Sequence, residues 1–421
     1  MDNRRVGRIS KGMAQSESDI LIVGGGLNGP TLALALASAG LRSTVIDALP
    51  VDRRADPGFD GRSYALALAS QRMLKALGLW GALAERAQPM LQIKVSDGRA
   101  GEGAAPWWMH FDHGEIEEGP MGFMVEDRFL RRVLLDAMEA APEITHLSET
   151  RVVAQETSAT GASVTLESGE TLTGRLLVGC DGRSSGTARR AGISRTGWGY
   201  DQTALVCAIE HALPHEGCAH QFFMPAGPLA ILPLPGNRSS IVWSERTAQA
   251  TRIAALDDAA FLEALRPCFG DFLGETALAG DRFTYPLGLT LANTIAAERL
   301  ALVGDAAHGV HPIAGQGLNL GFRDVGALAE TLIEAQRRGE DFAARDVLER
   351  YARWRRFDTA TLAVATDAVN RLFSNDNPLL RLGRDLGMGL VNALPGARQR
   401  FIREAAGLTG DVPKLLQGRA L

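Results

Sequence analysis

The chain has 421 residues, 46% of them hydrophobic and 22% charged, with a formal net charge of −5. That length exceeds one ordinary domain, and the composition is that of a soluble globular protein. The acidic balance excludes a role built on electrostatic attraction to nucleic acid. Cys180, Cys207, Cys218 and Cys268 are irregularly spaced with no CxxC pair, so neither a zinc knuckle nor a disulfide scaffold is indicated and a reducing compartment fits best. No apolar run reaches the roughly 18 residues needed to span a bilayer.

Residues 1–17 are polar, carry Arg4, Arg5, Arg8 and Lys11, and lack an apolar core segment. They read as a disordered extension, with Met13 as an alternative start. Ile20–Val23 is a short buried-strand run that meets the glycine-rich "GGGLNG" of Gly24–Gly29. "PTLALALASAG" then reads as a helix ending at Gly40, and "STVIDAL" as the next strand, which makes a βαβ unit. Arg62–Trp80 reads as a turn followed by a helix, residues 90–125 as strand-rich, and Glu126–Ala140 as a helix. Residues 150–179 read as a three-stranded meander made of "RVVAQET", "GASVTLES" and "GRLLVGC". Residues 200–245 are again strand-like, divided by Gly-Pro and Pro-Gly pairs. "ERLALVGDA" is an apolar strand, and the chain beyond Gly326 is mostly helical.

Gly24, Gly26 and Gly29 match G-x-G-x-x-G in the context that gives the pattern meaning, after a strand and opening a helix. The first glycine makes the turn, the second admits a pyrophosphate to the backbone, and the third lets helix and strand pack closely. The helix N-terminus supplies free N–H groups and partial positive charge. Asp47, 23 residues after Gly24, stands where an acid accepts ribose hydroxyls.

A second glycine-rich loop, "GDAAHGVHPIAGQGLNLGFRD", spans Gly304–Asp324. Asp305 is poised to bond polyol hydroxyls and Pro312 stiffens the loop. Gly315 and Gly317 let backbone approach a flat ring, and a helix from about Leu318 aims its positive end at that ring. NAD has no polyol and needs no second cradle. Two loops therefore hold the two ends of one long cofactor, FAD, bound non-covalently because no His or Cys is clearly placed for a linkage. A third piece, "GCDGRSS" at Gly179–Ser185, is by itself an ordinary Asp-Gly turn.

Together the three segments resemble the class A flavoprotein aromatic hydroxylases of the p-hydroxybenzoate hydroxylase type. Within that group the chain is most similar to the ubiquinone-biosynthesis hydroxylase family. The likeness rests on "HPIAGQGLNLGFRD", on "GPLAILPLPGNRSSIVW" (Gly227–Trp243), on "DGRSYALALASQRMLKALGLW" (Asp60–Trp80) and on "FSNDNPLLRLGRDLGMGLVNALPG" (Phe373–Gly396), and covers roughly Ser18 to Gly418. It implies an α/β fold in which a Rossmann-like FAD-binding domain (18–76, 122–188 and 281–363) is interrupted by a mixed β-sheet substrate domain (77–121 and 189–280), with a C-terminal helical segment at 364–421. It implies flavin contacts at Gly24, Gly26, Gly29, Asp47, Arg62, Gln71, Arg128, Asp305 and Gly315–Asn319, including Leu318. Asp181 and Gly182 would help organise the flavin and the approach of the pyridine nucleotide. The family usually places Arg three residues after the Ser of DGxxS; here that position is Ala188, with Arg189 next.

The implied activity is NAD(P)H-consuming, O2-dependent hydroxylation of a polyprenyl phenol through a flavin C4a-hydroperoxide. The alternatives are hydroxylation of a soluble aromatic acid and a non-catalytic flavin-bound scaffold in a ubiquinone-biosynthesis complex. A flavin halogenase is excluded by the absence of WxWxIP. No catalytic residue is assigned, because the chemistry needs neither nucleophile nor metal. His110/His113 and His308/His311 have HxxH spacing but no third ligand nearby in sequence, so no metal is expected, and His308 is read as bonding backbone or cofactor. Trp107-Trp108 is equally a substrate wall or a hairpin face. Tyr351, Arg353, Arg355 and Arg356 read as a solvated or packing face.

The expected location is cytoplasmic, peripheral on the inner membrane, or its matrix face in a eukaryote. Asn377 and Pro378 open a helix pattern whose Leu379, Leu382, Leu386, Leu390 and Leu394 form one stripe, with Pro395 just past its end. Five Arg stand against Asp385 and Glu404 over residues 378–404. The stripe suits a membrane surface, and a homo-dimer or complex contact equally.

Overall fold

The computed structural model describes residues 18–101, 103–311, 315–374, 387 and 392–421, with backbone alone at 103–107 and 395. Its centre is a six-stranded sheet in the spatial order Ala296–Ala297, Leu300–Leu302, Leu176–Gly179, Ile20–Val23, Ser43–Ile46, Ile144–Leu147. All pairings but the first are parallel. The middle strands are short apolar runs buried on both faces, as a helix-covered parallel sheet requires. Helices Asn28–Ala37, Asp127–Ala140 and Gln316–Arg337 contribute to one hydrophobic core around it.

Strand register decides where the motifs meet. Val23 stands opposite both Gly179 and Ile46, and Gly179 opposite Leu302. The carboxyl ends of four strands therefore lie level, and Gly24, Asp47, Cys180 and Val303 emerge at one edge. That edge is where open α/β sheets bind ligands.

A second, nine-stranded sheet runs from His308–Gly309 through Phe283–Ala292, Arg195–His211, Arg238–Arg246, Gly227–Leu234 and Cys218–Met224 to Gln92–Arg99 and Gly103–Asp112. Thr276–Leu278 pairs off that path. One face is covered by helices Thr247–Ala254 and Asp258–Phe269, whose Ile253, Phe261 and Leu265 pack on Leu205, Ile241 and Trp243. A small sheet of Ser63–Ala67, Gly122–Glu126 and Gln88–Met90 completes the molecule with the meander Val152–Ser158, Gly161–Leu166, Thr171–Gly174.

Two elements differ from expectation. "LLVG" leaves the meander and becomes a central parallel strand, because its four residues are buried on both faces; Thr171–Gly174 takes its place in the meander. "SYALA" at Ser63–Ala67 is a strand, with the helix confined to Leu68–Ala76. Pro395 comes just after the helical residues Asn392 and Ala393, as expected, and itself opens a further helix, Pro395–Ala405, as suits a residue whose missing N–H costs nothing in a first turn. Of the leucine stripe only Leu394 is among the described residues, and it is half exposed.

Candidate functional site

At the common edge, each glycine of the first loop is used differently. Gly24 has φ +117°, and a Cβ there would collide with the Cys180 carbonyl of the neighbouring strand. A Cβ on Gly29 would collide with the Gly24 carbonyl. Gly26 opens onto space, with nothing within 4 Å of where its Cβ would be. The second loop repeats the arrangement. Gly315, at φ +64°, is closed by Ala65, whereas Gly317 faces open space. The helices that follow, Asn28–Ala37 and Gln316–Arg337, both start without a side-chain cap, so their first N–H groups have no partner of that kind.

The two loops are tied together by Asn28, which the sequence did not mark. Its amide stands where a Cβ on either Gly304 or Gly321 would be, and its Oδ1 is buried without a hydrogen-bond partner. Asn319 makes a second tie. Its Oδ1 accepts from the Ala67 N–H (2.8 Å) and the Ser70 hydroxyl (2.7 Å), and its Nδ2 donates to the Ala65 and Gly315 carbonyls. Asn319, expected from sequence to be a flavin contact, also clamps the second loop to strand Ser63–Ala67.

Asp47 lies buried at the end of its strand, as expected for a ribose acceptor, but its carboxylate takes Arg54 Nε at 2.7 Å and Nη2 at 2.9 Å. Arg54 was not singled out by sequence, since it lies in a short helix with no motif around it. Arg62 is held by Asp60 at 2.6 Å and Asp127 at 3.4 Å. Arg128 donates to Glu126 and to the Pro57 carbonyl. Gln71 is buried on its helix. Both Asp181 oxygens are engaged within the chain, Oδ1 by the Ser185 hydroxyl and Oδ2 by the Thr187 N–H and hydroxyl. Asp181 therefore holds the turn at Gly182, φ +80°, whose Cβ position is open. Where the family has Arg, Ala188 is buried; the cations beside the second loop include Arg183, paired with Asp305 at 3.2 Å, and Arg195, which donates to the Asp305 and Ala306 carbonyls.

Beneath the second loop lies a buried ionic network. Asp324, fully buried, accepts from the Gly304 N–H (3.0 Å), bonds His308 Nε2 at 2.5 Å, and pairs with Arg355 Nε at 2.8 Å. Arg355 is itself 0% exposed and donates on to Asp358 at 2.7 Å. Burial pushes the Asp324 carboxyl up, but His308 and Arg355 outweigh it and hold it below the usual carboxylate range. Tyr351 is buried and donates to the Leu302 carbonyl. Tyr351 and Arg355 are thus core members, the packing alternative of the two the sequence left open; the i, i+4 pattern places both on one face but does not reveal the buried aspartate that Arg355 meets. His308 bonds a side chain, not backbone. His311 is fully buried with both ring nitrogens unpartnered, and burial brings its pKa down to about 4, with Arg183 adding to the effect. Pro312 lies outside the described residues. Among the described residues no group of three His, Cys, Asp or Glu could hold a metal ion.

The donor set fits FAD. Two uncapped helix starts and two open glycines, Gly26 and Gly317, converge on one edge, and the glycines on either side are closed by protein atoms. A family model described as an FAD binding domain matches residues 17–366. The ubiquinone hydroxylase UbiL of Rhodospirillum rubrum is 46% identical over 97% of this chain and 94% of its own length.

The chain belongs to the ubiquinone-biosynthesis hydroxylase family. It is an FAD-dependent monooxygenase with NAD(P)H as co-substrate.

The 3-demethoxyubiquinol 3-hydroxylase of Escherichia coli is 34% identical over 94% of this chain and 100% of its own. In fold, p-nitrophenol 4-monooxygenase PnpA from Pseudomonas putida superposes with a TM-score of 0.78 at 18% identity, covering 94% of this chain and 99% of that one. Among the described residues no helix is long and apolar enough to cross a membrane.

Proposed function

We propose that this monooxygenase hydroxylates the ring of a polyprenylated phenol during ubiquinone biosynthesis. The observation that carries the reading is the convergence of two glycine loops at one sheet edge, in a chain 46% identical to a ubiquinone hydroxylase along nearly its whole length. Bound FAD, reduced by NAD(P)H, would supply the activated oxygen. The chain's own part is to bind, orient and exclude water. Gly24, Gly26 and Gly29 with the first helix start would take the pyrophosphate. Asp47 would take the adenosine ribose, sharing its carboxylate with Arg54. Asp305 would face the polyol, and Gly315–Asn319 the ring. Arg62, Gln71 and Arg128 would add further flavin contacts, and Asp181 with Gly182 would shape the nucleotide approach.

A polyprenyl chain gains about 0.8 kcal/mol per buried CH₂, so such a substrate resides in a bilayer and the enzyme must reach it there. The proposed contact is the C-terminal segment, where Leu394 and Phe401 are half exposed. Arg398 and Arg403 pair with Glu115 and Glu118, so part of the basic charge read there is neutralised within the chain. The test is complementation of strains each blocked at one ring-hydroxylation step. Rescue of at least one supports the assignment and names the ring position; rescue of none, by a stably expressed flavin-loaded protein, overturns it.

A further inference from the structure

The helix-covered face of the nine-stranded sheet holds a cavity of about 920 Å³, at the upper end of the roughly 300–1,000 Å³ typical of small-molecule sites. Strand alternation separates it from the flavin edge. On Cys218–Met224, Ala219 and Phe223 pack to one side, with Met124 and Leu234 or with Phe111 and Phe373. Phe222 and Met224 pack to the other, against helix Asp258–Phe269, and line the cavity.

Its walls are aromatic. The His220 ring lies between Phe272, 4.7 Å away, and Phe222, stacked at 5.9 Å. Trp108 and Phe272 leave 40% and 41% of their surface exposed there. Two of its polar groups stand without an ionic or hydrogen-bond partner among the described residues. Lys94 stands across the strands from His220 and from His110; its ammonium has the Trp108 ring 6.0 Å away and no ion pair among the described residues. Ser96, 4% exposed, has a hydroxyl with no hydrogen-bond partner. Arg99 and Arg266 also line the cavity; Arg266 pairs with Asp271 at 3.0 Å, and Arg99 is engaged within the chain. Burial and the nearby Lys94 bring the His220 pKa down to about 4, so at neutral pH its imidazole offers uncharged hydrogen bonding.

One uncompensated cation, uncharged donors and flat aromatic walls select a ligand with one negative charge and a ring. Of the three basic residues lining the cavity, Arg99 and Arg266 already have partners, which leaves fewer free cations than a nucleotide asks for. We propose that Lys94, Ser96, His220, Trp108, Phe222 and Phe272 form a second ligand site, for an aromatic carboxylate, across the sheet from the flavin cradle. Because the sheet intervenes, this ligand does not react there; it is an effector of the enzyme and not its substrate.

The test uses the full-length, FAD-loaded protein and three probes by isothermal titration: naphthoate, uncharged naphthamide and ring-free decanoate. Naphthoate is expected to bind most tightly, with each comparison probe weaker by roughly tenfold or more. Lys94→Gln should bring naphthoate down to the level of naphthamide, and Phe272→Ala should weaken both ring-bearing probes. Trp108→Phe should abolish most of the fluorescence quenching that accompanies binding. Lys94 and Phe272 are partly exposed, and flavin content verifies that each variant is folded. Naphthoate affinity unchanged by both Lys94→Gln and Phe272→Ala, or no binding to the wild type, overturns the site. Neither result bears on oxygen transfer at the flavin edge.

Discussion

Gly24 and Gly26 are two residues apart and will answer substitution differently. Gly24→Ala places a Cβ against the Cys180 carbonyl at a positive φ, and the strain and crowding together should lower stability by about 2–4 kcal/mol, read as a reduced denaturant midpoint. Gly26→Ala has room. It should fold with near wild-type stability and bind FAD more weakly, because the methyl fills the space left for phosphate. Equal FAD affinity in wild type and Gly26→Ala would remove Gly26 from the cradle. Asp305→Ala tests the other end. Asp305 pairs only at the surface with Arg183, so the variant should keep its melting transition and lose FAD on dilution, by about 0.5–1.5 kcal/mol for the hydrogen bond removed. Asp47 was legible as an acid at the right distance from the first glycine; its Arg54 partner was not, since contact depends on how the chain turns after the strand.

At the scale of elements, the second loop rests on Asp324. Asp324→Asn removes one of the two carboxylates that pair with buried Arg355 and leaves Asp358 as the other, which should cost less than the roughly 3–5 kcal/mol of a wholly unpaired buried charge. The pH sign follows from the lowered carboxyl pKa. Stability from this network is complete above the ordinary aspartate value of about 4 and is lost as pH falls through the lower folded-state value. The acid limb of the unfolding curve should therefore be shallower in Asp324→Asn than in wild type; identical acid limbs would show that Asp324 does not carry that dependence. Elements with a strong local signal were readable, such as Asp127–Ala140 with its apolar stripe and the first βαβ unit. "LLVG" was not, because four apolar residues suit a hairpin or a parallel strand equally until a neighbour is known, and that neighbour, Ile20–Val23, lies more than 150 residues away. "SYALA" was missed because its partner, Gly122–Glu126, is likewise remote.

Over the whole molecule, the sequence carried the order of the motifs and the expectation that two loops serve one cofactor, but not the strand register that brings them level. Register brings Gly24, Cys180 and Val303 level, and only then do two glycine loops become one cradle. The cavity at Lys94 and His220 was illegible for the same reason: its residues come from strands 92–99, 103–112 and 218–224 and the loop after helix Asp258–Phe269. Membrane docking also belongs to this scale. Wild type should float with anionic liposomes. A variant with Leu386 and Leu390 changed to Ser and Arg398, Arg400 and Arg403 changed to Gln should float less, and equal flotation of two flavin-loaded proteins would remove this segment from the proposal.

The most direct test of the account is product analysis with isotopically heavy dioxygen, using the FAD-loaded enzyme, NAD(P)H and a polyprenyl phenol. The account predicts one heavy oxygen atom in the phenol ring for each NAD(P)H oxidised, with hydrogen peroxide falling when the phenol is added. NAD(P)H consumption that yields only peroxide with every polyprenyl phenol, while a soluble aromatic acid acquires the label, would contradict it.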